Sequence, residues 1–166
     1  MKNNIVLIGM PTSGKSTIGV ILAKILGMDF VDTDLLIQNK YKKKLSEIIS
    51  EKGVMGFVEA EEEVCKNINY ENTVIATGGS VVYGEESMKH LGEIGTIIYL
   101  KISYEILEAR LHHARQRGVV LKEGQTKKDM YFERVGLYEK YADITISEDN
   151  KDIEETIEEI MDTLLN

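Results

Sequence analysis

Residues 9–16 read Gly9-Met10-Pro11-Thr12-Ser13-Gly14-Lys15-Ser16. Upstream stands Ile5-Val6-Leu7-Ile8, a short apolar run of buried-strand type. Downstream, Ile18, Ile21, Leu22 and Ile25 recur at helical spacing. A plain glycine-rich turn between strand and helix needs neither a lysine nor a hydroxyl at these offsets. Here both are present, and the octet matches the Walker A pattern G-x-x-x-x-G-K-[ST]. Backbone N–H groups in such a loop turn inward as a nest for anionic oxygens. The first turn of the next helix adds uncommitted N–H groups and the positive end of its dipole. Pro11, Thr12, Ser13, Gly14, Lys15, Ser16 and Thr17 are therefore expected to cradle the phosphates of ATP. Lys15 would reach the β- and γ-phosphates, and the Ser16 hydroxyl would ligate Mg²⁺.

The rest of the chain fits that start. Its 166 residues, 43% of them hydrophobic, are enough for one domain with a real core. The formal net charge of -8 argues against nonspecific binding to nucleic acid or to an anionic membrane. Much of the acid lies in the last helical pattern, opposite a stripe of Ile153, Ile157, Ile160 and Leu164, and reads as a solvated face. Cys65 is the only cysteine, so no internal disulfide forms. It is expected to be a buried structural thiol beside Val64 and Ile68. No run is long enough to span a membrane, and a signal-peptide pattern is missing, so a cytoplasmic protein is expected.

Short apolar runs alternate with helical patterns. Strands are expected at Ile5–Ile8, Phe30–Val31, Val74–Ala76, Thr96–Leu100 and Ile144–Ile146. Helices are expected near 15–26, 34–51, 57–69, 85–91, 103–113, 127–140 and 151–165. This alternation predicts an α/β fold, a parallel sheet with helices on both faces and ligands beyond the carboxyl ends of its strands. The segment from Arg115 to Thr126 has the weakest periodicity. It reads equally as a cationic lid carrying Arg115, Arg117 and Lys122, or as an ordinary surface loop.

Polar residues gather where these strands end. Asp32 and Asp34 close the second strand. One can hold Mg²⁺ through water, and the other can accept a substrate hydroxyl's proton. Thr33 or Asp34 also suits the cap of the next helix. Thr77-Gly78-Gly79-Ser80 follows the third strand, where glycines permit close approach of backbone to substrate. Arg134 and Tyr138 stand one helical turn apart and either pair or face a site. His90, His112 and His113 have no metal-ligand spacing and read as surface or lid residues.

Together these pieces resemble the shikimate kinase family of P-loop small-molecule kinases. The resemblance runs from Ile5 to about Ser147. It includes the P-loop, Asp32-Thr33-Asp34, Gly53 through Glu61, Ala76-Thr77-Gly78-Gly79, Arg110, Arg117 and Arg134-x-x-x-Tyr138-x-x-x-Ala142-Asp143. It implies a five-stranded parallel sheet in a single P-loop kinase domain spanning 1–166. A substrate-binding helical region at about 33–61 and a lid at about 112–126 would complete that domain. The implied reaction is ATP-dependent phosphorylation of the shikimate 3-hydroxyl, on the way to aromatic amino acids, by an enzyme expected to be monomeric. By the same resemblance Lys15 would hold the ATP phosphates, and Ser16 and Asp32 would serve Mg²⁺. Asp34 would bind substrate hydroxyls and act as the base. Gly78 and Gly79 would touch substrate. Arg117 would close from the lid onto the phosphates, Arg110 would stack near adenine, and Arg134 would bind the substrate carboxylate.

The chain departs from the family pattern at one side of that acceptor site. Where the family reads G-E-x-x-F-R-x-x-E, this sequence has Val54 for the glutamate and Val58 for the arginine, and it keeps Glu61. Ser80 replaces a third glycine, and Val119-Val120 follow Arg117-Gly118 in place of a proline-leucine-leucine run. Thr12 stands where a further P-loop glycine is usual. Two alternatives follow from Val58: a kinase of another small hydroxylated metabolite, or a nucleotide-binding module without catalysis.

Overall fold

The computed structural model describes residues 2–113 and 119–166. Five strands are described: β1 (Asn4–Gly9), β2 (Asp29–Asp32), β3 (Thr73–Ala76), β4 (Gly95–Lys101) and β5 (Ile144–Ser147). They form one parallel sheet in the order β2-β3-β1-β4-β5. All five coincide with the apolar runs expected from the sequence. Seven helices are described: α1 (Lys15–Leu26), α2 (Thr33–Tyr41), α3 (Leu45–Cys65), α4 (Glu85–Ile94), α5 (Tyr104–His113), α6 (Lys127–Tyr141) and α7 (Ile153–Leu165).

β1 lies at the centre of the sheet, and its side chains alternate between two cores as strand geometry requires. Ile5 and Leu7 pack with Ile18, Leu22, Ile157 and Ile160 of α1 and α7. Val6 and Ile8 pack on the opposite face with Cys65, Met88, Leu107 and Tyr138. Cys65 is fully buried, as expected of a structural thiol, and burial pushes its pKa up. Val64 belongs to a different cluster, in which Ile37, Ile48, Phe57 and Val120 tie α2 and α3 together beyond the sheet's carboxyl end.

The helices between β2 and β3 differ from the sequence expectation. The stretch expected to be helical over 34–51 breaks at Lys42, which has φ 55 and caps α2. A new helix then starts at Leu45 and continues past residue 51. It turns sharply at Gly53, whose φ of 71 and ψ of 178 are not helical. Periodicity cannot detect a kink that leaves apolar spacing nearly unchanged on either side. The turns after the kink carry Phe57, buried with Ile37 and Ile48, and Glu61, which meets Ser80 beyond β3. Among the described residues, no helix is long and apolar enough to cross a membrane.

Candidate active site

The loop after β1 is folded as its sequence requires. The Ser13 N–H donates to Met10 O, and Gly14 takes φ 81 immediately before α1. The α1 N-terminus has no side-chain cap and no acid in its first turn, whereas Asp32, Thr126 and Asp152 cap α2, α6 and α7. Its N–H groups are left for an anion. Lys15 is buried and curls over the loop, donating to Gly9 O at 2.9 Å, Met10 O at 2.7 Å and Ser13 Oγ at 3.3 Å. Thr12 sits at φ 69, a strained conformation for a β-branched residue.

Ser16 and Asp32 meet directly, the hydroxyl donating to Asp32 Oδ2 at 2.7 Å. The other oxygen, Oδ1, accepts the Asp34 N–H at 2.9 Å. The α2 cap is therefore Asp32, not Thr33 or Asp34, because its β-strand backbone aims its carboxylate back along the new helix. One carboxylate thus fixes both the cap and the hydroxyl. A hydroxyl and a carboxylate side by side form a sparse oxygen set suited to a hydrated Mg²⁺. No group of three or more His, Cys, Asp or Glu suited to a metal occurs among the described residues.

A cavity of about 390 Å³ runs from this loop to the far wall. Lys15, Ser16, Asp32, Asp34, Gly78, Gly79 and Arg134 all line it, so the structure brings together residues from four segments. The glycines form the wall itself. A Cβ built on Gly78 would stand 2.8 Å from Asp34 Oδ1 and 2.7 Å from Glu61 Oε2. One on Gly79 would stand 3.0 Å from an Arg134 Nη1 and 2.8 Å from the Pro11 ring. Side chains at either position would fill the cavity or displace its polar groups.

Arg134 is 1% exposed. It donates to Val120 O at 2.7 Å and to the Tyr83 hydroxyl at 3.4 Å. No carboxylate of the described residues lies within ion-pair distance of it, and Nη1 is turned toward Gly79. Tyr138 neighbours Arg134 and donates to Gly79 O at 2.5 Å, while Arg134 alone of the two lines the cavity. A buried guanidinium without a countercharge costs several kcal/mol unless an anion joins it.

Arg110 lies on the other side of the phosphate loop, donating to Thr12 O at 2.8 Å. Arg115 and Arg117 lie outside the described residues. Lys122, also expected to be cationic, pairs with Glu133.

The sequence reading overlooked several groups here. Lys44, Leu45, Ser46 and Ile49, around the start of α3, line the cavity. They went unnoticed because the helix break at Lys42 was not visible. Glu148, just after β5, is 7% exposed behind the loop. Burial pushes its pKa up to about 7, while Arg110 and Lys15 pull the other way. Its position at a strand end, like that of Asp32, was the available signal.

Comparison with known proteins then decides the family. The shikimate kinase family model matches residues 11–165. The chain belongs to the shikimate kinase family. A shikimate kinase of Clostridium botulinum (strain Eklund 17B / Type B) is 39% identical over 168 residues, covering 100% of this chain and 99% of the relative. One of Bacillus cereus (strain AH187) is 34% identical over 161 residues, covering 97% and 98%. The solved structure of a shikimate kinase from Acinetobacter baumannii in complex with shikimate superposes with a TM-score of 0.89. It is 27% identical and covers 99% of this chain and 94% of that one. The family is one of ATP-dependent phosphotransferases, and its fold is the α/β parallel sheet described above.

Proposed function

We propose that this chain transfers the γ-phosphoryl group of ATP to the 3-hydroxyl of shikimate. The observation that carries the acceptor is Arg134, a buried guanidinium with no carboxylate partner among the described residues and with Nη1 at the cavity wall. A substrate carboxylate supplies the missing countercharge. Asp34 then faces the ring hydroxyls across Gly78, close enough to the phosphate loop to orient a hydroxyl for attack and take its proton. Gly78 and Gly79 bound the acceptor. A kinase of a polyol without a carboxylate would leave Arg134 uncompensated.

Lys15 and the Pro11–Thr17 stretch hold the phosphates, with catalysis arising mainly from positioning and charge stabilisation. Ser16 and Asp32 would hold Mg²⁺, which supplies charge neutralisation at the phosphates when bound. Arg117, outside the described residues, joins the phosphates by family resemblance. Arg110 reaches the nucleotide side of the loop through Thr12. We read the chain as one kinase domain, with an acceptor-binding helical region at about 33–61 and a lid at about 112–126. It works as a cytoplasmic monomer without nucleic-acid or membrane partners, as its net charge of -8 favours.

Asp34→Asn tests the assignment of the base. Turnover with shikimate should fall by about 10²-fold or more while ATP affinity stays within about twofold. Unchanged turnover would remove Asp34 from proton transfer.

A further inference from the structure

Glu61, kept where the neighbouring family arginine is replaced by Val58, stands in the cavity wall. It is 2% exposed, on the turns of α3 that follow the Gly53 kink. One carboxyl oxygen is held, Oε1 accepting the Ser80 hydroxyl at 2.6 Å. The other, Oε2, is buried with no hydrogen-bond partner among the described residues and stands against Gly78, opposite Asp34 Oδ1. No lysine, arginine or histidine of the described residues forms an ion pair with it. A buried carboxyl with one bare oxygen is costly in either protonation state unless a ligand meets that oxygen. The neutral acid has a donor to offer there, whereas the anion would stand beside Asp34.

We propose that Glu61 meets the acceptor as a neutral carboxylic acid. Ser80 fixes Oε1, and Oε2–H donates to an oxygen of a hydroxylated acid bound at the Gly78 wall. Glu61 is then a specificity-determining residue that prefers an oxygen-rich anion without needing a second arginine. This rests on the reading of the cavity as the site of a hydroxylated carboxylic acid.

Groups from every surrounding element act on Glu61. Lys15 of α1, Asp34 of α2, Cys65 on its own helix, and Arg134 and Tyr138 of α6 all face it. Burial raises its pKa most and Asp34 adds to the rise. The Ser80 bond, Arg134 and Lys15 oppose it, leaving the group at about 7. Below that value the donor is present. Above it, an anion faces the acceptor's carboxylate.

The test is the pH dependence of shikimate binding and turnover in the wild type, Glu61→Gln and Ser80→Ala, from about pH 6 to about pH 8.5. Glutamine keeps the shape, an acceptor for Ser80 and a donor toward the cavity, but cannot ionise. The wild-type shikimate KM should climb above neutrality, approaching about tenfold per pH unit. It should stay flat across this step in Glu61→Gln, while the ATP KM behaves alike in both. Ser80→Ala, which keeps the acid and loses the bond that favours its anion, should move the climb to higher pH. Calorimetry at about pH 8 in buffers of different ionisation enthalpy should detect proton uptake on shikimate binding in the wild type and less in Glu61→Gln. Parallel pH profiles in all three proteins, with shikimate turnover intact, would overturn the proposal. No shikimate binding or turnover by the wild type at any pH would overturn the acceptor reading itself, and this proposal with it.

Discussion

The phosphate loop takes its donors from one contiguous stretch, residues 9–17. The acceptor wall draws Asp34, Glu61, Gly78, Gly79 and Arg134 from four separated segments. In the loop, function lies largely in backbone N–H groups whose direction follows from strand, turn and helix. At the wall it lies in side chains whose meeting depends on a helix break at Lys42, a kink at Gly53 and the start of α6. A local device tolerates change around it. An assembled one responds to single substitutions, and this chain departs from the family pattern at Val54, Val58 and Ser80 in the segments that build the wall, against Thr12 alone in the loop.

The largest expected effect tests the loop. Lys15→Ala removes the cation from the phosphate cradle, and turnover should fall by about 10³-fold. The melting temperature should move little, since the lysine's hydrogen bonds to Gly9 O, Met10 O and Ser13 Oγ lie within its own loop. Near-wild-type turnover would break the phosphate assignment.

Next comes the wall. Arg134→Met should lower kcat/KM for shikimate by about 10²-fold, the value of a lost charge-assisted pair, with the ATP KM within about twofold of wild type. A loss shared equally by both substrates would mean that Arg134 organises the whole site and does not bind the acceptor.

A smaller effect sharpens the contrast. Val58 is half-buried one helical turn before Glu61. Val58→Arg places a guanidinium where it can pair with Glu61, which lowers that acid's pKa and keeps it ionised across neutrality. The shikimate KM should drop about fivefold and lose the rise with pH assigned to Glu61. An unchanged KM with an unchanged pH profile would mean that position 58 does not reach the wall.

The smallest effect returns to the loop. Thr12→Gly relieves a φ of 69 and should raise stability by about 1 kcal/mol, read by thermal or denaturant unfolding. A loss of stability would show that the Thr12 side chain is needed in the folded loop.

The same contrast explains what the sequence made legible. All five strands could be read because the apolar runs of a buried parallel sheet are continuous and bounded by turn residues. Lys15, Ser16 and the Asp32–Asp34 pair could be read because each lies at a strand end, where such sheets place ligands. The helix boundary at Lys42 could not, since Lys42-Lys43-Lys44 carries no glycine or proline to announce a left-handed residue. Nor could the Ser80–Glu61 hydrogen bond, which joins residues nineteen apart on either side of β3. Nor could the burial of Glu148, which meets the distant Gly14 and feels the charges of Arg110 and Lys15 only in the folded chain.

The central claim is that an intact phosphate cradle here serves an acceptor site for shikimate. The most direct test is ADP release by the wild-type protein with ATP and Mg²⁺, measured with and without shikimate. Saturable release that depends on shikimate, with one shikimate phosphorylated per ADP formed, is the predicted result. ATP binding with no shikimate-dependent release across the pH range would contradict it.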